Sequence, residues 1–344
     1  MKILVDTYST AFQNKAGGVH NRIIQTVNSI RDAGVSLDYF DKYTSNIENY
    51  DLLHVFKLNI ENYSLIKLAK AKGKKVVVSA VVNLFGEFQL KLYWKLRKLP
   101  IMTTYKILFE ICKIADAIIV ETRKEARFIN RYYHVIADKI YVIGNGVSLM
   151  QCDNEIIYKV MGKKCDYVLV VGRFDKNKNQ LNVVRAFKNT DTEIVFIGGE
   201  DPIEKKYYYQ CTTEAEHSAN IHFLGWVDSN DILIKSAFTH AKVLLAPSFN
   251  ETFGLTIIEG VTAGAIPVIS ERLPILEYSS LHSCLRCKPE SPKDIFEKVT
   301  IAMNMKNSDD LKNKVSSEFS WENIAKQHIE LYRGLCQNEF KNKD

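Results

Sequence analysis

Short apolar runs rich in β-branched residues alternate with longer stretches whose apolar residues recur every three or four positions, almost from end to end of the chain. In the first half the short runs are Ile3–Asp6, Leu52–Phe56, Val76–Val82, Ala117–Glu121 and Ile140–Ile143. In the second half they are Tyr167–Val171, Glu193–Ile197, Ile221–Leu224, Val243–Pro247 and Ile266–Ile269. Between them lies helical spacing, as where Val19, Ile23, Ile24, Val27 and Ile30 share one face. This alternation predicts parallel sheets covered by helices on both sides. Asn145-Gly146 and the polar residues up to Lys164 read as a linker, so the ten strands divide into two doubly wound, Rossmann-like domains. In open parallel sheets ligands bind beyond the carboxyl ends of the strands. Two such domains facing one another would form a cleft, and the loops that directly follow strands are the ones that bear chemistry.

Composition narrows the class. Of the 344 residues 46% are hydrophobic and 25% charged, and with only 16 Gly and 7 Pro the chain is neither collagen-like nor mostly disordered. Ile3-Leu4-Val5 is followed at once by Asp6, too short an apolar core for a secretory signal. The longest apolar stretch, Val76–Val82, falls far short of the ~20 residues that span a bilayer. The expectation is a soluble, cytoplasmic protein. Seven scattered cysteines, an odd number, fit reduced thiols better than a disulfide framework. Cys284 and Cys287 lack the second ligand pair that a structural zinc needs. Residues 1–160 hold 23 Lys/Arg against 15 Asp/Glu, whereas residues 161–344 hold 23 against 25. A basic first half suits a membrane surface or an anionic substrate. Nucleic acid is disfavoured, because no recognised nucleic-acid-binding motif accompanies the charge.

The most informative stretch begins at strand Val243–Pro247, passes through Ser248-Phe249-Asn250-Glu251, and enters a helix after Thr252-Phe253-Gly254. The backbone N–H groups of Phe253, Gly254 and Leu255 lie at a helix N-terminus, which favours an anion through hydrogen bonds and the helix dipole. Glu251 at the same turn would repel that anion unless it points at neutral hydroxyls. Glu259 follows eight positions later, about 12 Å along a helix axis, so the two carboxylates suit different ends of one elongated ligand. A polyol with phosphates in its middle, a sugar nucleotide, fits this arrangement.

Glu251 and Glu259, with Pro247-Ser248, Phe253-Gly254-Leu255, Gly264 and Pro267-Val268 around them, resemble the signature region of retaining GT-B glycosyltransferases, especially glycosyltransferase family 4 of the group 1 type. Gly172-Arg173, followed after four residues by Lys178, resembles that family's donor-diphosphate element. The chemistry agrees, since fixed cations stabilise charge on a departing diphosphate. Gly17-Gly18, after the first strand, resembles the family's N-terminal glycine loop and lacks the three-glycine dinucleotide fingerprint. His20 and Arg22 either line the same mouth or face solvent from the first helical turn. Phe223-Leu224-Gly225-Trp226-Val227 resembles the loop that reads the nucleotide base. Ser320-Trp321-Glu322 resembles the start of the terminal helix that crosses back to the first domain. The family usually carries a histidine at the end of the fourth strand. Here that strand runs Val76 to Asn83 without one, leaving Asn83 or a backbone carbonyl in its place.

The resemblance implies a GT-B fold, with residues 1–150 and 325–344 binding the acceptor and 151–324 binding the donor. It implies a metal-independent, retaining transfer of a hexose from a UDP- or GDP-sugar, with no cofactor, to a glycan or lipid-linked acceptor in surface polysaccharide synthesis. Glu251, Arg173 and Lys178 would be catalytic. Gly17, Gly18, Gly172, Gly225, Trp226, Val227, Thr252, Phe253, Gly254, Leu255 and Glu259 would bind the donor. Epimerisation or hydrolysis of a nucleotide sugar, and a catalytically silent sugar-nucleotide-binding subunit, are the alternatives on the same fold. Residues 84–113 carry six Lys/Arg against Glu87 and Glu110, interleaved with Phe85, Phe88, Tyr93 and Trp94. This stretch fits either a peripheral contact with an anionic membrane or an ordinary sheet-covering helix.

Overall fold

The computed structural model describes residues 1–13, 18–80, 87–96, 100, 103–148, 152–228, 230–307 and 309–337. The chain divides into two compact units, Met1–Gly146 with Ser320–Asp344, and Val147–Phe319.

The first unit is a six-stranded, all-parallel sheet of β1 (Lys2–Asp6), β2 (Ser36–Tyr39), β3 (Leu52–Phe56), β4 (Lys75–Ser79), β5 (Ala117–Val120) and β6 (Ile140–Val142). Their spatial order is β2-β1-β3-β4-β5-β6. Its helices are α1 (Gly18–Asp32), α2 (Tyr63–Ala71), α3 (Glu87–Leu96), α4 (Thr104–Ile114) and α5 (Arg123–Tyr133), with α13 (Trp321–Gln337) returning from the far end of the chain. Because side chains alternate along a strand, each strand feeds two cores. Ile3, Val5, Val77 and Ile119 meet Ile23, Val27 and Ile30 of α1 together with Ile329 and Tyr332 of α13. Leu4, Val55, Val76, Val78 and Ile118 meet Ile66 of α2, Ile111 of α4 and Phe128 and Ile129 of α5 on the other face. A buried polar chain fastens α13 to the sheet: His54 of β3 lies 2.7 Å from the Tyr332 hydroxyl and 2.9 Å from that of Ser79. Burial holds the His54 and His328 imidazoles below the usual histidine range, His328 at about 4.

The second unit contains β7 (Tyr167–Val171), β8 (Glu193–Ile197), β9 (Ile221–Phe223), β10 (Val243–Ala246), β11 (Ile266–Ser270) and β12 (Leu285–Cys287). These are also all parallel, in the order β12-β11-β10-β7-β8-β9. Helices α6 (Ile156–Met161), α9 (Ile232–His240), α10 (Leu255–Ala263) and α12 (Asp309–Glu318) cover one face, and α7 (Gln180–Phe187), α8 (Lys205–Glu214) and α11 (Pro292–Met303) the other. Two sheets wound on both sides match the expected fold class. The expected linker differs in one respect: residues 156–161 form α6, which buries Ile157 and Met161 in the second unit. The edge strands β2 and β12, absent from the pattern reading, complete the two sheets.

The basic aromatic segment is partly core. Trp94 of α3 stacks on His134 and meets the edge of Phe109, and Tyr105, Ile111 and Cys112 of α4 are buried. Leu92 and Tyr93 remain exposed beside Lys91 and Lys95, whereas residues 84–86, 97–99 and 101–102 lie outside the described residues. No described helix is long and apolar enough to cross a membrane. All seven cysteines are free thiols, with Cys284 and Cys287 buried.

Candidate functional site

In the second sheet the chain runs from β7 outward through β8 and β9, then returns to place β10 on the other side of β7. The strand order therefore reverses between β7 and β10, and a ligand crevice is expected outside the carboxyl ends of those two strands. The two turns found there are stitched together. Phe249 N–H donates to the Asn177 carbonyl at 2.8 Å, and Asn177 Nδ2 donates to the Asn250 carbonyl at 2.8 Å. Asn179, in a left-handed conformation at the start of α7, donates through Nδ2 to the carbonyls of Pro247 and Pro289. Residues 172–179 and 247–254 thus form one floor.

On that floor Lys178 Nζ lies 2.5 Å from Glu251 Oε1, and the Ser248 hydroxyl donates to the same oxygen at 2.9 Å. Glu251 Oε2 takes no partner among the described residues. Arg173 is pinned as well: its Nε is 2.7 Å from Asp201 and its Nη2 3.3 Å from Asp175. The backbone N–H groups of Ile203 and Glu204 hold the Asp201 carboxyl below the usual carboxylate range, so it stays ionised beside Arg173. From the sequence, Asp201 and Asp175 receive no role, and Ser248 is named only as part of the family motif. The one signal for Asp201 was its position in the loop that follows strand β8.

The helix start has a local cause. Phe253 is buried against Tyr278 and Phe319, which anchors the turn. Gly254 caps α10 with φ +106, a conformation that L side chains rarely adopt. The N–H groups of Phe253, Gly254 and Leu255 have no hydrogen-bond acceptor among the described residues, and Thr252 is exposed beside them. Further along α10 the half-buried Glu259 carboxyl makes no hydrogen bond among the described residues, and burial pushes it up to about 7. A carboxylate kept out of water without a donor is poised for hydroxyl groups that a ligand brings.

Gly172 directly follows β7, and Arg173 comes next. At the neighbouring strand end Gly198 packs so closely that an added Cβ would lie 2.0 Å from the Gly172 carbonyl oxygen. Gly225 follows β9 with φ +70, Trp226 is 69% exposed and Val227 half-buried. Gly18 opens α1 in the first unit, while Gly17 and Asn83 lie outside the described residues. His20 turns its Nδ1 to the Ala11 carbonyl at 3.1 Å. Arg22 neither lines a mouth nor faces solvent: it is buried, 2.7 Å from Glu121, because α1 lays it against the end of β5. Among the described residues no three His, Cys, Asp or Glu side chains gather into a group that could hold a metal.

Comparison with known proteins shows the family of the chain. The model for Glycosyl transferases group 1 matches residues 157–318, and that for Glycosyltransferase Family 4 matches residues 2–151. The chain is similar to the O-antigen biosynthesis glycosyltransferase WclY of Escherichia coli, 24% identical over 223 residues. That stretch is 62% of this chain and spans 59% of the length of that relative. In fold it resembles the sucrose-phosphate synthase from Thermosynechococcus elongatus, with a TM-score of 0.74 and 17% identity, covering 98% of this chain and 100% of that one. It also resembles Anabaena Alr3699/HepE in complex with UDP, with a TM-score of 0.72 and 15% identity over 97% and 100% of the two chains.

Proposed function

The chain belongs to the group 1, family 4 glycosyltransferases, and from that premise we propose that it transfers a hexose from a nucleotide sugar, UDP- or GDP-linked, to a glycan or lipid-linked acceptor with retention at the anomeric carbon. The observation that carries this reading is the single strand-end floor of the second unit. It gathers a lysine, three N–H groups without acceptors and two glutamates with capacity left to accept hydroxyls. The UDP held by the structurally similar Anabaena protein and the O-antigen role in the name of the Escherichia coli relative support the donor class and a role in surface polysaccharide synthesis.

In this mechanism the Phe253–Leu255 amides, Lys178 and Arg173 hold the donor diphosphate. Fixed charges of this kind stabilise the leaving group without reorganising as the glycosyl–phosphate bond breaks. Glu251 Oε2 accepts hydroxyls of the transferred sugar. Glu259 accepts those of the ribose, and the Gly225–Val227 backbone reads the base. The acceptor hydroxyl attacks on the face that the diphosphate leaves, giving its proton to a phosphate oxygen, and no metal is needed because Arg173 and Lys178 supply the positive charge. Among the described residues of the basic segment, Leu92 and Tyr93 are exposed beside Lys91 and Lys95, and these would touch an anionic membrane surface on the cytoplasmic side.

A thermal-shift screen of UDP- and GDP-sugars identifies the donor, because a bound ligand raises apparent stability by mass action. With that donor, Arg173→Ala and Glu251→Ala should each lower transfer at least about 100-fold, and the product anomer read by NMR should match the donor. Undiminished transfer in either variant, or an inverted product, overturns the proposal.

A further inference from the structure

The first sheet obeys the same topological rule. From β1 the chain goes to β2 on one side, then returns to place β3 on the other, so its order reverses between β1 and β3. Outside the carboxyl ends of these two strands lie Asp6-Thr7-Tyr8 and Lys57 to Asn62, none of which has a role in the donor site. They are built into one surface. Asn62 Nδ2 donates to Asp6 Oδ2 at 2.5 Å and to the Thr7 carbonyl at 3.1 Å, and the Thr7 hydroxyl donates to the Phe56 carbonyl at 3.1 Å.

Lys57 stands out within it. Three non-glycine residues have positive φ among the described residues. His134 ends helix α5 and Asn179 precedes α7, positions and residue types that take this conformation readily. Lys57, at φ 73, has neither excuse. Its backbone is clamped on both sides: its N–H donates to the Ser79 carbonyl at 2.9 Å, and its carbonyl accepts from Asn59 Nδ2 at 3.1 Å. Its ammonium sits 4.1 Å from the centre of the Tyr8 ring, and no carboxylate pairs with it among the described residues. Glu61, the acid nearest in charge, is committed to the Ser9 N–H at 2.6 Å, and Asp6 is held by Asn62. An ammonium held over a ring, on backbone that is strained for this residue type, is a group positioned to meet an anion.

We infer that Lys57 and Tyr8, at the crevice between β1 and β3, form an acceptor subsite that recognises an anionic group on the acceptor, a phosphate ester or a sugar carboxylate. The inference rests on the reading of the chain as a glycosyltransferase but is tested without a donor. The full chain carrying Arg173→Ala and Lys178→Ala, which removes the donor-site cations, is titrated calorimetrically with inorganic pyrophosphate and, separately, with glucuronate. One of the two should bind, naming the source of the charge. Adding Lys57→Met should weaken that binding about tenfold or more, and Lys57→Arg should restore most of it. Lys57→Gly should lose binding while raising the unfolding temperature by roughly 1–3 °C, the sign that strain is retained for the ligand. Neither anion binding, equal binding by Lys57→Met, or a Lys57→Gly protein no more stable than the parent overturns the inference. Failure of the donor reading would show separately, as wild-type protein that binds no nucleotide sugar.

Discussion

Glu259→Gln should stabilise the protein at pH 8, leave it unchanged at pH 5, and weaken donor binding at the same time. Burial raises the Glu259 carboxyl from 4.5 to about 7. The folded state therefore binds more protons than the unfolded state between those values, and stability falls as pH rises through that window. Above pH 7 the native protein holds an ionised carboxylate out of water with no donor. At 1.36 kcal/mol for each tenfold gain in proton affinity, the ceiling of that penalty is roughly 3 kcal/mol, reduced by whatever water reaches this half-buried group. Glutamine has nearly the same shape and no charge. In a unit of this size each kcal/mol moves the midpoint by about 2–4 °C, so the gain at pH 8 should be several degrees and at most about 12 °C. Scanning calorimetry of both proteins at pH 5, 6, 7 and 8 measures it. The matching loss is in binding: a carboxylate accepts from two ribose hydroxyls, and hydrogen bonds to a charged group are worth roughly 1.5–3 kcal/mol, about 10- to 100-fold in Kd. An equal change in midpoint at pH 5 and pH 8, or a donor affinity that glutamine leaves intact, would refute the reasoning.

Gly198→Ala sets a methyl 2.0 Å from the Gly172 carbonyl, backbone against backbone, so the Gly172–Arg173 turn must move; a loss of roughly 2–4 kcal/mol and weaker donor binding should follow, read by denaturant midpoint and calorimetry. His328, buried in the first unit and lowered to about 4, stays neutral in the native state while the unfolded chain protonates near 6.5. Stability should therefore decline as pH falls from 6.5 towards 4, by up to about 3 kcal/mol, and a His328→Gln variant that folds should show a flatter profile over that range. Glu121→Gln strands the Arg22 charge in the first core and should cost roughly 3–5 kcal/mol by denaturant unfolding, whereas an exposed pair such as Lys314–Asp310 should lose less than about 1 kcal/mol when broken.

Apolar periodicity carried most of the architecture, because a central parallel strand must be apolar on both faces, as Val168, Leu169 and Val170 are. The same logic explains what it missed. Ser36–Tyr39 and Leu285–Cys287 are edge strands of four and three residues with exposed positions, and their patterns cannot be told from loop. The floor of the site was legible because Glu251, Gly254 and Glu259 lie on one strand–turn–helix segment. Arg173 and Lys178 likewise share one strand-end turn. Asp201 was not legible, because its contact with Arg173 depends on the parallel pairing of β7 with β8 and the bridge from Phe174 to Glu200. Trp94 looked like a membrane-seeking aromatic by composition, yet its ring packs on His134 and Phe109. Backbone conformation is a still deeper omission: nothing in the residue type announces that Lys57 has positive φ.

The charges of the donor floor place a further constraint on the proposed chemistry. Without a ligand each cation already has a carboxylate, Lys178 with Glu251 and Arg173 with Asp201 and Asp175. In the proposed mechanism a donor therefore binds by exchange: a phosphate takes over part of the Lys178 ammonium that Glu251 held. Half-buried groups make that exchange expensive for either partner left alone. It becomes favourable when the same ligand satisfies Glu251 as well, by bringing hydroxyls to the carboxylate as its phosphate reaches the lysine. A lone phosphate offers only half of this compensation and a free sugar only the other half. In the proposed mechanism the Lys178–Glu251 pair would thus act as a selectivity filter for molecules that carry sugar and diphosphate together. Lys178, already drawn towards the phosphate, would then face the charge that develops there as the glycosyl–phosphate bond breaks.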